Sequence, residues 1–303
     1  MIELKEFTKK FGGFTALEQV SFRIGKGSIF GLVGSNGAGK STLLRGIAGV
    51  YAPDGGQILI DGEEPYENVA LKGRVFFVSD YPHFMAQSGL KDMADFFRRL
   101  YPNWDAEEYR RLRDLFRLDE QMKLHNMSKG MQRQAALVCA LATRPDYLLM
   151  DEVFDGLDPV MRQLLKRVVS EQTAGRKMTV LIASHNLREL EDFCDHVGLI
   201  HKGGVLFERE LDELKLDIHK VQAVCQPALD SEALEKLRER LKLVRLETRG
   251  SLVSFVARGS EEEIAQVMED YQTIFFETLP LSLEEVFIME MEAAGYDLDR
   301  ILS

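Results

Sequence analysis

One short run of residues restricts this chain more than any other feature. Gly34-Ser-Asn-Gly-Ala-Gly-Lys40-Ser41-Thr42 fits the pattern G-x-x-x-x-G-K-[ST]. Such a loop works only between a buried strand and a helix. Ile29 to Val33 is a nearly unbroken apolar stretch, as expected of a buried strand. From Lys40 onward Leu43, Leu44, Ile47 and Val50 fall at helical spacing. A chance glycine-rich turn would have no reason to sit in that setting. The glycines let the backbone curl so that successive N–H groups face inward toward phosphate oxygens. The start of the helix adds its positive dipole end. Gly34, Ser35, Asn36, Gly37, Ala38 and Gly39 therefore form a candidate phosphate cradle, completed by Lys40, Ser41 and Thr42. Lys40 is placed to reach β- and γ-phosphates, and the Ser41 hydroxyl to ligate Mg²⁺.

Two more buried strands end in chemistry-bearing residues. Tyr147 to Met150 runs into Asp151-Glu152, and Thr179 to Ser184 runs into His185. In a parallel sheet, ligands sit outside the carboxyl ends of the strands. There Asp151 suits a magnesium ligand, direct or through water. Glu152 suits a general base for an attacking water, and His185 a donor to a γ-phosphate. Alone, an acidic pair after a strand is usually a solvated loop or a helix cap, and a lone histidine is usually structural. The phosphate loop turns the balance.

Composition narrows the partners. The chain has 303 residues, is 45% hydrophobic and carries a formal net charge of -11. That length suits two domains. The acidic balance argues against non-specific nucleic-acid binding, which needs basic surface to displace counterions. The longest apolar runs, such as Ala135 to Ala142, fall short of the roughly 18 to 20 residues of a spanning helix. The N-terminal stretch has no apolar core of a secretory signal. Cys139, Cys194 and Cys225 form no CxxC or metal pattern, which fits a reduced cytosolic compartment.

The pattern along the chain alternates strands and helices up to about Gly203-Gly204, implying an α/β fold with a mainly parallel sheet and helices on both faces. Strands are expected within the first 25 residues and at Ile58 to Ile60. Helices are expected over Leu90 to about Leu118, with Met93, Phe96, Phe97 and Leu100 on one apolar face, from just after Ser128 to about Ala142, and from Val160 to Gln172. Beyond residue 216 the order reads β-α-β-β-α-β, a ferredoxin-like succession. Ser260-Glu-Glu-Glu263 and Ser282-Leu-Glu-Glu285 are capping boxes that open two of its helices.

Taken together, these motifs resemble the nucleotide-binding subunit of ABC transporters over about residues 1 to 215. Met127-Ser128-Lys129-Gly130-Met131-Gln132 resembles the family signature, Leu148 to Glu152 its second acidic motif, and Gly156-Leu157-Asp158 its D-loop. His185 matches the switch histidine, and Phe11 the aromatic that stacks on adenine. The signature has its own physics: Ser128 can cap the following helix and Gly130 permits close backbone approach. The resemblance implies a P-loop NTPase cassette over 1–215, with an antiparallel β subdomain and a helical subdomain at about 84–145, and a smaller α+β accessory domain over 216–303. It implies ATP and Mg²⁺ as ligands, with Ser128, Gly130 and Asp158 meeting nucleotide held by a second subunit. Two intact motif sets from one chain make a homodimer sufficient.

The expected activity is ATP hydrolysis driving export through a permease on a separate chain, with this subunit peripheral on the cytoplasmic face of the membrane. Tyr101-Pro-Asn-Trp104-Asp105, the signature and Ser282 to Phe287 resemble bacterial ABC-2-type exporter ATPases, including those near antibiotic-peptide resistance systems, so the cargo expected is an antimicrobial peptide or drug. The alternative is a soluble ABC ATPase acting on the ribosome or DNA. Ribosome-acting relatives carry two cassettes per chain, and DNA-repair relatives insert a long coiled coil between the two motifs. Neither feature is present here. Three departures from the family stand out. Lys129 and Met131 alter the signature, Val153 replaces a common proline, and Asp80 takes the place of the Q-loop glutamine, from which it is expected to reach Mg²⁺ through water.

Overall fold

The computed structural model describes residues 1–216, 218–279 and 281–293. The end of the expected second domain, 294–303, lies outside the described residues. The chain divides into two compact units, Met1–Glu208 and from Arg209 on.

The first unit begins with β1 (Ile2–Phe11), β2 (Phe14–Ile24) and β3 (Ile29–Val33), followed by α1 (Lys40–Ile47), β4 (Gly55–Ile60), α2 (Val69–Lys72) and β5 (Val75–Val78). Then come α3 (Leu90–Leu100), α4 (Ala106–Leu115), α5 (Lys129–Ala142), β6 (Tyr147–Asp151), α6 (Pro159–Arg176), β7 (Thr179–Ser184), α7 (Leu187–Glu191), β8 (His196–His201) and β9 (Gly204–Glu210). One sheet has the order β2-β1-β4 and is antiparallel. The other has the order β5-β6-β7-β3-β8-β9, with its first five strands parallel. Leu43, Leu44 and Ile47 of α1 share one core with Ile2, Phe7 and Leu17 of the antiparallel sheet and with Phe30, Leu32 and Leu149 of the parallel one. The helix behind the phosphate loop is thus gripped from two sides. Each such fully buried side chain contributes about 1.5–3 kcal/mol.

The strands of the parallel sheet are buried on both faces, which explains their unbroken apolar runs: β3, β6 and β7 have no exposed residue. Two expectations need correction. The helix expected over Leu90 to Leu118 is broken after Leu100. Pro102 has no amide hydrogen to continue it, and the Asp105 carboxylate caps a new helix by accepting from the N–H groups of Glu107 and Glu108 at 3.0 and 2.9 Å. Its apolar face is correspondingly incomplete: Met93 is buried, but Phe96 and Leu100 are 39% and 56% exposed. Val50 lies past the end of α1, its N–H turned back to the Arg45 carbonyl, and its side chain is exposed.

At the end of the parallel sheet opposite the phosphate loop, Asp61 accepts hydrogen bonds from the Tyr147 hydroxyl and the Arg74 guanidinium, both at 2.7 Å, and pairs with Lys26 at 2.8 Å. Burial alone would raise its carboxyl, but Lys26, the Met1 amine, Tyr147 and Arg74 together hold it well below the usual carboxylate range. A depressed folded-state value means stability that is present above the unfolded pKa and lost as pH falls. Asp61→Asn is therefore expected to destabilise the protein at pH 7 by about 1–3 kcal/mol, solvent screening keeping it toward the lower end. In urea titrations the gap between variant and native protein should begin to narrow below about pH 4. A gap independent of pH would refute this role for Asp61.

The second unit contains α8 (Leu211–Leu216), β10 (Ile218–Cys225), α9 (Ser231–Arg240), β11 (Lys242–Arg249), β12 (Leu252–Arg258), α10 (Glu261–Met268), β13 (Thr273–Leu279) and α11 (Leu283–Ala293). Its antiparallel sheet has the order β11-β12-β10-β13. Val221, Val253 and Phe255 of the sheet pack with Leu237 of α9 and Ile264 of α10. Both capping boxes form: Ser260 and Glu263 exchange backbone N–H bonds at 3.2 Å each, and Ser282 and Glu285 at 3.0 and 3.2 Å.

Candidate functional site

Strand register alone brings the expected site together. Asp151 pairs with Ala183, and Val33 pairs with Ser184, across neighbouring strands in the order β6-β7-β3. Glu152, His185 and Gly34 are each the next residue beyond a strand end, so they emerge side by side at the carboxyl edge, with strands about 4.8 Å apart.

The cradle is shaped by close packing. Gly39 caps α1 with φ of 111°, a backbone conformation that a side chain resists, and a Cβ there would lie 2.7 Å from Leu17 and 2.9 Å from the Ala16 carbonyl. The β1–β2 hairpin therefore presses directly on the phosphate loop. Phe11, at its tip, is 42% exposed and meets Tyr51 edge to face, ring centres 5.2 Å apart. Ser35, Asn36 and Gly37 are exposed at the mouth, Ala38 is buried, and Ser41 and Thr42 are half-buried in the first turn of α1. Lys40 is only 6% exposed; its Nζ donates to the carbonyl oxygens of Gly34 at 2.6 Å and Ser35 at 3.3 Å, and lies 3.4 Å from Glu152 Oε1.

Glu152 stands at φ of 49°, in the left-handed region that a glutamate adopts only under constraint. Its N–H is tied to the Ala183 carbonyl at 3.0 Å, which holds the residue at the sheet edge. Its Oε2 meets His185 Nδ1 at 3.0 Å and accepts from the His185 N–H at 3.3 Å. Asp155 joins them: donor atoms of Glu152, Asp155 and His185 lie within 4.8 Å of one another. Sequence reasoning did not single out Asp155.

Asp151 is 1% exposed, and its Oδ1 has no hydrogen-bond partner. Burial pushes its carboxyl up, the Ser41 hydroxyl partly offsets this, and Glu152 adds to it. A buried carboxylate oxygen left without a donor, beside a serine hydroxyl, is the donor set expected of an oxygen-liganded divalent cation. The residues present fit Mg²⁺. Asp80, the other expected ligand, follows β5. It is near enough to raise Asp151 electrostatically, but its carboxylate accepts a hydrogen bond from the Arg133 guanidinium.

The signature stretch opens α5 as expected. Ser128 is exposed, and its Oγ accepts from the Met131 N–H at 3.2 Å. Lys129 is exposed in the first turn. The close approach at Gly130 is to this chain's own D-loop: a Cβ would lie 2.7 Å from the Gly156 carbonyl oxygen. The Asp158 carboxylate caps α6, accepting from the N–H groups of Val160 and Met161 at 3.0 Å each. Arg162 then donates to the Leu157 carbonyl at 3.0 Å and to Glu189 at 2.8 Å, linking the D-loop to the helix after His185. Arg133, Arg162 and Glu189 were not picked out in the sequence, because their partners lie far along the chain.

Known proteins resemble this chain in sequence and in fold. The profile of the family described as "ABC transporter" matches residues 17–155. The ABC transporter ATP-binding protein YtrB of Bacillus subtilis is 33% identical over 288 residues, spanning 95% of this chain and 97% of that protein. The bacitracin transport ATP-binding protein BcrA of Bacillus licheniformis is 29% identical over 218 residues, 71% of each chain. A solved ATP-binding subunit of an ABC transporter superposes with a TM-score of 0.66 at 28% identity, covering 71% of this chain and 92% of the other.

Proposed function

The chain belongs to the ATP-binding proteins of ABC transporters, and from that premise we propose that it is the ATP-hydrolysing motor of a bacterial exporter whose membrane-spanning permease is a separate polypeptide. The observation that carries the reading is the convergence of Lys40, Glu152 and His185 at one sheet edge, beside the buried, unpartnered oxygen of Asp151.

Residues 1–215 act as the ATPase cassette, with 84–145 as its helical subdomain, and 216–303 as an accessory domain. The strand order β11-β12-β10-β13 supports a ferredoxin-like fold for that domain. Gly34 to Thr42 bind the phosphates, Phe11 stacks on adenine, and Ser41 and Asp151 hold Mg²⁺, with Asp80 reaching it through water. When bound, Mg²⁺ neutralises charge on the β- and γ-phosphate oxygens. Glu152 accepts a proton from water as the water oxygen bonds to the γ-phosphorus and the bond to the β-phosphate oxygen breaks, releasing ADP and phosphate. Lys40 balances the charge that develops, and His185 donates toward the γ-phosphate while orienting Glu152. Ser128, Lys129 and Gly130 of a second copy close the site, with Asp158 at the same two-fold interface.

The permease side is supported by an apolar groove of about 290 Å³ between the loop after β5 and α3, lined by Phe76, Pro82, Phe84, Met93, Phe97 and Tyr101. Tyr81 and Met85 stand exposed near it, at 68% and 44%. Among the described residues no helix is long and apolar enough to cross a membrane, which accords with a peripheral subunit on the cytoplasmic face. The likeness to a bacitracin transport protein supports a peptide or drug as cargo.

Affinity purification from solubilised native membranes tests this. A multi-span integral protein should co-elute, and Met85→Glu should reduce its recovery about tenfold while the purified subunit still binds ATP. Recovery with ribosomes in place of a membrane protein would overturn the exporter reading.

A further inference from the structure

Arg133 lies one turn into α5, at the meeting point of three segments of the nucleotide site. Its Nη2 donates to the Asp80 carboxylate, and Nη2 and Nε donate to the Asp80 carbonyl at 3.2 and 3.4 Å. Its Nη1 lies 3.6 Å from where a Cβ on Gly156 would stand, so the same guanidinium borders the D-loop. The Arg133 side chain is 12% exposed and that of Asp80 34%. An ion pair so enclosed, with three hydrogen bonds to one residue, fixes the geometry of both elements far more firmly than a surface pair. Yet Val78 pairs with Met150, so Asp80 leaves β5 next to the end of β6, where Asp151 stands as a buried carboxylate with a free oxygen that Asp80 reaches electrostatically. Its single carboxylate thus holds a fixed cation while standing at the sheet edge that also carries the place suited to a divalent cation.

We propose that Arg133 is a positioning residue that competes with Mg²⁺ for Asp80. With the metal absent, Arg133 ties the loop after β5 to the signature helix. When MgATP binds, the Asp80 carboxylate turns to the metal through water, the tie loosens, and α5 becomes free to swing with its Ser128 end. The inference rests on the reading of Ser41 and Asp151 as the magnesium site. It supplies what a glutamine at position 80 could not: a charge that two cations contest, so that metal binding and helix release are the same event.

The competition gives opposite signs to the two halves of the pair, and this separates it from a simple structural bridge. Fluorescent ATP binding to the full chain is to be measured with and without Mg²⁺ for Asp80→Asn and Arg133→Gln, with Arg133→Lys as a milder variant. Asp80→Asn should cut the Mg²⁺-dependent gain in affinity by about tenfold, as for other outer-shell metal partners. Arg133→Gln should enlarge that gain by about threefold or more, because the competing cation is gone, and Arg133→Lys should fall between it and the native protein.

Both variants shifting the magnesium dependence in the same direction, or neither shifting it, would overturn the proposal. Failure of the native protein to bind the nucleotide at all would instead strike the underlying reading of the site.

Discussion

Glu152→Gln is expected to abolish turnover while sparing nucleotide binding, with phosphate release falling about a thousandfold. The side chain keeps its length, and its carbonyl oxygen can still accept from the His185 N–H that now approaches Oε2 at 3.3 Å. The backbone keeps its place as well, because the bond from the Glu152 N–H to the Ala183 carbonyl does not involve the side chain. Only the capacity to take a proton from water is removed. Loss of the carboxylate charge beside Lys40, 3.4 Å away, should if anything favour an incoming polyphosphate. MgATP should therefore enter and remain intact, and a closed dimer should accumulate on gel filtration. Turnover within tenfold of the native rate would remove Glu152 from the chemistry. An unchanged monomer with bound MgATP would count against the two-fold sandwich.

What could be read in the sequence was what local chemistry determines. The start of α5 just after Ser128 and the openings at Ser260 and Ser282 were legible because a capping side chain satisfies specific amides nearby. The strands β3, β6 and β7 were legible because burial on both faces leaves no polar position. β5 was passed over: four residues are too few to show a period, and it becomes a strand by pairing with β6. The break between α3 and α4 was written in Pro102 and Asp105, but apolar residues on either side imitate one continuous helix. The partners of the site residues were not legible at all. That Asp80 belongs to Arg133, and Glu189 to Arg162, follows from tertiary contact between segments the sequence keeps apart. The candidate site therefore emerged as a set of strand-end residues without the side chains that hold them in place.

Lys40→Ala should weaken binding and stop chemistry together, where Glu152→Gln stops chemistry alone. The amine is almost wholly buried, and it is held at the cradle by the Gly34 and Ser35 carbonyl oxygens and by Glu152. An ammonium in so enclosed a place is stable only because acceptors and a negative charge surround it. The same confinement makes it a strong partner for a phosphate, since little water competes. Losing one such charge-assisted contact costs about 1.5–3 kcal/mol, so ATP affinity should fall by about 10- to 150-fold, with no detectable turnover. Arginine is not expected to rescue it, because the larger planar guanidinium would have to enter a space closed around an amine. Combining the two changes decides the order of events. If phosphate capture at Lys40 precedes closure, the Lys40→Ala, Glu152→Gln double variant should form no dimer at MgATP concentrations that saturate Glu152→Gln alone. Isothermal titration gives the affinities, and gel filtration the dimer. An ATP affinity within threefold of native for Lys40→Ala would mean that phosphate binds elsewhere than the glycine cradle.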